Sequence, residues 1–253
     1  MKEVNNMIKL IVYGSSSKGN CYVLSNNDTS IMLDCGIKNL QKHIDLKAIK
    51  GIILTHLHTD HTKGVKDIKD YYMGKFYGNK ETLDILPIIQ EYKECIEDMQ
   101  KIEIGTFSIV GFSLEHDVPC LGYLIKDNIS GCKLLYCTDT GQIDYSFNDI
   151  DFFLIESNCD EDTLDYSDYK QKRLYNTHLS MQQCWNFVEN NVNINTKNVI
   201  LCHISSGEEN YLKHEEYIKS KLNDENINVV AIDPHLKHPL EIVLKHDIDI
   251  NFD

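Results

Sequence analysis

Short apolar runs broken by Gly, Asn and Asp set the rhythm of the first third of the chain. Residues 8–13 read as a strand and 14–20 (GSSSKGN) as a small-residue turn. Residues 21–25 read as a second strand, and 29–36 as a third that ends at Asp34. Together they form a β-meander. Residues 40–46 predict a short helix, and 51–55 a buried strand. The spacing of Val65, Ile68, Tyr71 and Tyr72 predicts a helix over 62–72. A short strand at 75–79 follows, then a helix over 80–92 that Pro87 kinks unless it sits near the first turn. From Met99 the pattern changes to alternation, predicting four strands with turns at Gly105, 127–131 and 141–148. Residues 181–191 form an amphipathic helix carrying Trp185. The chain closes with a strand at 198–205, a helix at 210–222, and strands at 227–233 and 241–245.

That order supplies two sheets' worth of strands, with helices late in each half. Two sheets between outer helices bury both apolar faces, an α/β sandwich. At 253 residues the chain holds a large core, and no linker divides it, so one domain over 1–253 is expected. The segment 158–173 begins acidic and ends basic, and reads as a solvated loop. No apolar run approaches the roughly 20 residues of a membrane span, and the N-terminus has no signal-peptide core. Nine cysteines without a CxxC pair read as reduced, mostly buried thiols in a cytoplasmic protein. A formal net charge of −14 argues against a broad non-specific nucleic-acid footprint but leaves room for a local basic patch.

The chemistry concentrates at residues 51–64, GIILTHLHTDHTKG. An apolar run delivers His56, His58, Asp60 and His61 within six positions. Three imidazoles and a carboxylate this close repel once protonated unless a cation replaces the protons, so the stretch reads as a metal-binding loop. Further ligand-type residues close other strands or follow them: His116, Asp139, Glu156, His178 and His203. By contrast His43, His214, His235, His238 and His246 lie in polar, Lys/Glu-rich text and read as surface. GSSSKGN could cradle a phosphate with Lys18, but GxxxxGK[ST] is absent, and a hairpin connection is the better default.

HLHTDH resembles the HxHxDH signature of the metallo-β-lactamase superfamily, an αββα sandwich. Asp34 in MLDCG matches that family's early buried Asp, His116 its third-motif histidine, Asp139 in TDTG its bridging aspartate, and His203 in LCHIS its last ligand. GSSSKGNCYV, THLHTDHTKG, TDTG, ESNCD with KRLYNTHLS, and LCHIS together resemble the WalJ (YycJ) branch near ribonuclease Z. That branch is one of phosphodiesterases and DNA exonucleases. In size and motif set the chain is also similar to phage anti-Pycsar phosphodiesterases, which hydrolyse cyclic mononucleotides. Two departures stand out: a long basic arm of the ribonuclease Z kind is missing, and SGEENY after LCHIS is acidic.

The resemblance implies two Zn²⁺ per chain, with Mn²⁺ or Fe²⁺ as alternatives. It assigns His56, His58 and His116 to the first, Asp60, His61 and His203 to the second, and Asp139 as the bridge. The implied reaction is phosphodiester cleavage by metal-bound hydroxide. Asp60 orients the hydroxide, and His178, held by Glu156, protonates the leaving group. Alternatively, Glu156 and His178 only bond each other. The implied substrate is a nucleotide or nucleic acid, gripped by Lys18, Lys63, Lys170, Lys172 and Arg173. Tyr145, Phe147 and Tyr166 either stack on a base or pack internally. The alternatives are a phosphodiesterase specific for small cyclic nucleotides, a thioester or lactone hydrolase of the same fold, and a non-enzymatic module. The last ranks lowest because all seven ligands are present. A homodimer also fits the family.

Overall fold

Strand alternation sends successive side chains to opposite faces, and here it fills two different cores. Leu134, Phe152, Leu154 and Ile200 pack between two sheets, whereas their neighbours Leu135, Phe153, Ile155 and Val199 pack under outer helices. The computed structural model describes residues 8–207, 210–222 and 224–244.

The strands are β1 (Ile8–Gly14), β2 (Cys21–Ser25), β3 (Ser30–Leu33), β4 (Ile49–Ile53), β5 (Lys75–Gly78), β6 (Lys93–Cys95) and β7 (Lys101–Ile104). They continue as β8 (Phe107–Leu114), β9 (Cys120–Asp127), β10 (Lys133–Cys137), β11 (Phe152–Glu156), β12 (Asn198–Cys202), β13 (Asn228–Ala231) and β14 (Leu240–Leu244). One sheet runs β14-β1-β2-β3-β4-β5-β6 and the other β13-β12-β11-β10-β9-β8-β7. The helices are α1 (Thr59–Thr62), α2 (Val65–Ile68), α3 (Lys80–Ile85), α4 (Tyr169–Thr177), α5 (Met181–Asn191) and α6 (Leu212–Leu222). α2 and α3 bury Val65, Ile68 and Leu83 on the outer face of the first sheet. α5 and α6 bury Trp185, Val188 and Ile218 on the outer face of the second. This is the expected αββα sandwich. Among the described residues no helix is long and apolar enough to cross a membrane.

Several local expectations fail for identifiable reasons. The helix over 62–72 splits into α1 and α2, because Gly64 N–H donates to Cys35 O at 2.8 Å instead of continuing a helical ladder. Residues 40–46 hold only a 3-10 turn at Leu40–Lys42. Just beyond it the Asp45 carboxylate accepts from Lys47 N–H at 3.1 Å and competes with a helix. The helix from Lys80 stops at Ile85 because Pro87 forces Leu86 into extended backbone, ψ 141°. The remainder becomes a turn and the unforeseen edge strand β6. The alternating stretch after Met99 holds five strands rather than four, since Gly105 at φ +58° folds its first segment into the β7–β8 hairpin.

The supposed loop at 158–173 leads into α4, whose N-terminus Asp168 caps by accepting from Lys170 and Gln171 N–H at 2.7 and 3.3 Å. Asp168 followed three residues later by Gln171 was a legible start signal.

His43, His235 and His238 are exposed, and His246 lies outside the described residues. His214 is buried, not at the surface. It sits four positions before Ile218 on the inner face of α6, with Nδ1 2.7 Å from Ser157 Oγ. Burial holds its imidazole down at about 4. An unfolded chain binds this proton near pH 6.5, so stability from neutral His214 is complete above that value and falls toward pH 4. Unfolding titrations between those limits are expected to show a loss of at most about 3 kcal/mol from this group. His214→Gln should flatten the curve there; an unchanged slope assigns the loss to other groups.

Candidate metal centre

The parallel strands β3, β4, β10, β11 and β12 point their carboxyl ends the same way, where the two sheets meet. Residues just beyond those ends therefore converge. Three of them, Asp34, Asp139 and His203, adopt left-handed backbone at φ 56°, 53° and 49°. Such geometry costs about 1–3 kcal/mol per residue and persists where surrounding contacts hold it. Here it turns each side chain into the space between the sheets.

Asp34 is the fixed base of the site. Its buried carboxylate accepts from Thr55 N at 2.8 Å, Tyr136 Oη at 2.6 Å and His61 Nδ1 at 2.8 Å. Gly36 follows because nothing larger fits: a Cβ there would lie 1.6 Å from Asp60 O.

The sequence separates the histidines by up to 147 positions (203 − 56), yet their rings gather within about 5.5 Å of a neighbour. Each imidazole has one nitrogen tied outward. His56 Nδ1 meets Thr55 Oγ1 at 3.0 Å, and His58 Nε2 meets Asp117 Oδ1 at 3.3 Å. His61 Nδ1 meets Asp34, His116 Nδ1 meets Thr177 O at 2.9 Å, and His203 Nδ1 meets Glu156 Oε1 at 2.9 Å. The second nitrogens face inward. His116 Nε2 lies 3.3 Å from His58 Nδ1, and His61 Nε2 lies 3.1 Å from Asp139 Oδ2. His203 Nε2 lies 3.4 Å from Asp60 Oδ2 and 3.5 Å from Asp139 Oδ2. His56 Nε2 is buried and meets no hydrogen-bond partner among the described residues.

Three groups result: the two expected sets, His56–His58–His116–Asp139 and Asp60–His61–Asp139–His203, and a third, Asp139–Glu156–His178–His203, that overlaps both through Asp139. Within each, one donor atom per residue lies within 4.8 Å of the others. An unpartnered buried imidazole nitrogen, imidazole nitrogens facing one another and a shared carboxylate form a donor set fit for divalent cations. All seven expected ligands are thus brought together.

The electrostatics are those of an internally compensated cluster. Burial opposes charge on Asp60, but hydrogen bonds from His203 and His61 hold its carboxyl far below the usual range. Burial likewise opposes charge on His203, yet Asp139, Asp60 and Glu156 push it up to about 10. His56, where burial prevails with the His61 charge adding to it, is driven down.

Glu156 and His178 stand beside the two expected sets. His178 Nδ1 lies 2.7 Å from Glu156 Oε1 and 3.7 Å from Asp139 Oδ1, and its ring stacks on His203 with centroids 5.4 Å apart. Glu156 is fully buried and also accepts from Thr140 N at 3.1 Å and Leu179 N at 3.2 Å. Burial lowers the His178 imidazole, but the Glu156 carboxylate outweighs it and leaves the ring raised.

Sequence reasoning missed the outer partners. Asp117 touches His58, and Arg173 on α4 forms an ion pair with its other oxygen. Asn158 Nδ2 donates to His203 O at 2.9 Å; on the inner side, Asn20 Nδ2 lies 2.9 Å from the inward nitrogen of His61, Nε2. Only the position of Asp117 next to His116 was a visible hint. Some sequence candidates lie elsewhere. Lys170 and Lys172 are exposed on α4. Tyr145 and Phe147 pack on Phe112, with centroids 5.2 and 4.9 Å away, and Tyr166 pairs with Tyr175. GSSSKGN is a turn whose N–H groups are used internally: Gly19 N donates to Ser16 O and Asn20 N to Asp60 O.

The β-lactamase superfamily domain matches residues 29–204, from β3 past the last expected ligand. The chain belongs to the metallo-β-lactamase superfamily. It is 28% identical over 230 residues to exodeoxyribonuclease WalJ of Streptococcus pneumoniae, spanning 81% of this chain and 84% of that protein. Exodeoxyribonuclease YycJ of Bacillus anthracis is 23% identical over 218 residues, 77% of this chain and 81% of that one. The solved metallo-β-lactamase-fold protein YhfI from Bacillus subtilis superposes with a TM-score of 0.73 at 18% identity. It covers 93% of this chain and 99% of its own, a likeness that bears on the fold alone. A metallo-β-lactamase-fold hydrolase with nuclease homologues and clustered metal-binding residues is therefore in hand.

Proposed function

We propose that the protein is a single-domain, two-metal phosphodiesterase that cleaves nucleic acid in the cytoplasm. The observation that carries this is the Glu156–His178 pair, 2.7 Å apart and set against the shared carboxylate Asp139. A metal site alone does not select the bond to be cut, whereas a proton donor beside it suits an ester with a poor leaving group. Similarity to WalJ and YycJ supports the same reading.

His56, His58 and His116 would hold one cation and Asp60, His61 and His203 the other, with Asp139 between them. An all-imidazole and carboxylate set suits Zn²⁺, with Mn²⁺ or Fe²⁺ as alternatives. Such cations supply Lewis acidity and make water nucleophilic at neutral pH. Asp60 accepts a hydrogen bond from the attacking water and orients it. Glu156 keeps the proton on His178 Nδ1 and stabilises the imidazolium, and His178 Nε2 gives up a proton to the departing oxygen. Nine cysteines, eight of them buried and Cys95 exposed, are in keeping with a reducing compartment.

The formal net charge of −14 favours a small cyclic nucleotide as a second reading. One panel separates the two. Protein loaded with Zn²⁺ or Mn²⁺ is incubated with single-stranded and duplex oligodeoxynucleotides and with 3′,5′-cyclic mononucleotides, before and after chelation. Oligonucleotide cleavage that chelation abolishes is the expected result. Turnover of cyclic nucleotides alone establishes the second reading, and no turnover of any phosphodiester removes both.

A further inference from the structure

We infer that Asn20 is a catalytic hydrogen-bond donor: its buried side-chain amide points an N–H group into the space beside Asp60 and His61 and stabilises the charge that gathers there on a phosphoryl oxygen during hydrolysis. This rests on the phosphodiester reading and gives that reaction a residue the metal ligands and the Glu156–His178 pair do not supply.

Asn20 closes the GSSSKGN turn just before β2 and is fully buried. Its backbone is held on both sides: Asn20 N donates to Asp60 O at 2.7 Å, and Asn20 O accepts from Gly36 N at 2.8 Å. Its side chain is held as well. Nδ2 donates to Ser16 O at 3.1 Å, and Oδ1 accepts from Tyr22 Oη at 3.4 Å. An amide nitrogen carries two N–H bonds. The second faces the cluster, where Nδ2 lies 2.9 Å from His61 Nε2 and 3.5 Å from Asp60 Oδ2. Reversing the amide would set its carbonyl oxygen 3.1 Å from Ser16 O, oxygen against oxygen. Ser16 therefore fixes which end of the amide faces inward.

The ordinary account is a structural bond to His61. But His61 Nε2 is an inward nitrogen, 3.1 Å from the shared carboxylate Asp139, in the set fit for a cation. Its lone pair cannot serve a cation and the amide proton together. The N–H then keeps Asp60 Oδ2 alone, at the far limit of a hydrogen bond. A buried donor left so poorly matched is unfavourable unless an oxygen arrives to accept from it. A substrate phosphoryl group brings such oxygens to this space. The amide is neutral, so it donates at every working pH and adds no charge beside the cations. It is also set in place before the reaction, which is the condition under which one donor most lowers a barrier. His178 serves the departing oxygen, and Asn20 serves one that stays on phosphorus.

The test compares Asn20→Ala with the unaltered protein, both metal-loaded. The substitution removes the inward donor and little else, because Ser16 O keeps Gly19 N at 2.8 Å and Tyr22 Oη keeps Ser15 Oγ at 2.8 Å. Metal content should equal that of the unaltered protein. For the phosphodiester that the unaltered protein cleaves, kcat should fall about 10²-fold or more, with KM changed less than about threefold. Calorimetry supplies a readout apart from turnover. Affinity for orthovanadate, which takes up the five-coordinate shape of the transition state, should fall at least about 10-fold, and affinity for inorganic phosphate less than about threefold. If the alanine protein unfolds, Asn20→Ser carries the test with the same expected losses: its hydroxyl keeps a donor for Ser16 O but is too short to reach the cluster. Unchanged kcat in a folded, metal-loaded variant overturns the role. So does metal loss in proportion to activity, which assigns Asn20 to holding His61, and so does equal weakening of vanadate and phosphate. Failure of the phosphodiester reading looks different: the unaltered protein then turns over no phosphodiester, and both proposals fall together.

Discussion

Replacing His56 and His58 together by alanine is expected to abolish hydrolysis and strip bound metal. Both imidazoles present a nitrogen to the same point. His56 Nε2 is buried without a hydrogen-bond partner among the described residues, and His58 Nδ1 faces His116 Nε2 at 3.3 Å. With both gone, His116 and Asp139 remain in that set, too few for a stable four-coordinate site. Loss of a single outer partner typically costs about 10–100-fold, so removal of two direct donors should exceed about 10³-fold in kcat/KM. Elemental analysis should show the metal content falling from two equivalents toward one or less. The fully buried His56 leaves a cavity when truncated, so folding is checked by thermal unfolding. If the double variant is unfolded, the half-exposed His58→Gln serves alone. Full activity with full metal content would end the assignment.

His178→Ala is expected to leave metal content unchanged and slow oligonucleotide cleavage by about 10²-fold or more. The variant still leaves Glu156 four partners, His203, Asn158 Nδ2, Thr140 N and Leu179 N, so the buried carboxylate stays satisfied. A merely structural histidine and a proton donor differ in one measurable way. Bis(p-nitrophenyl) phosphate expels a phenolate that needs no proton, so its turnover should fall less than about 10-fold. Equal losses on both substrates would assign His178 a structural role. Glu156→Gln should resemble His178→Ala on oligonucleotides, with added metal loss because Glu156 also holds His203 at 2.9 Å.

Much of this was written locally. Period-2 alternation gives the strands, and HLHTDH gives four donors whose spacing needs no partner element to be noticed. His116, Asp139 and His203 were legible because each closes a strand, and parallel strands end on one side. Some failures were local, as at Pro87 and Gly105; in two others distant contacts had overruled local pattern. The 62–72 periodicity is real, but Cys35 O takes the Gly64 N–H and breaks the helix. His214 lies among Lys and Glu, yet Ser157, 57 positions away, draws it inward.

The sequence by itself determined most of the strand pattern, β6 and the β7–β8 division excepted, and the identity of the ligand-type residues, because side-chain period and donor chemistry are properties of neighbours along the chain. Only the tertiary structure decided which imidazole nitrogen turns inward, that Glu156 serves both His178 and His203, and that Asp117 reaches His58. It also decided that Lys18 and Lys63 meet across 45 positions. Those are matters of which surfaces the two sheets bring face to face, and no residue's immediate neighbours encode them.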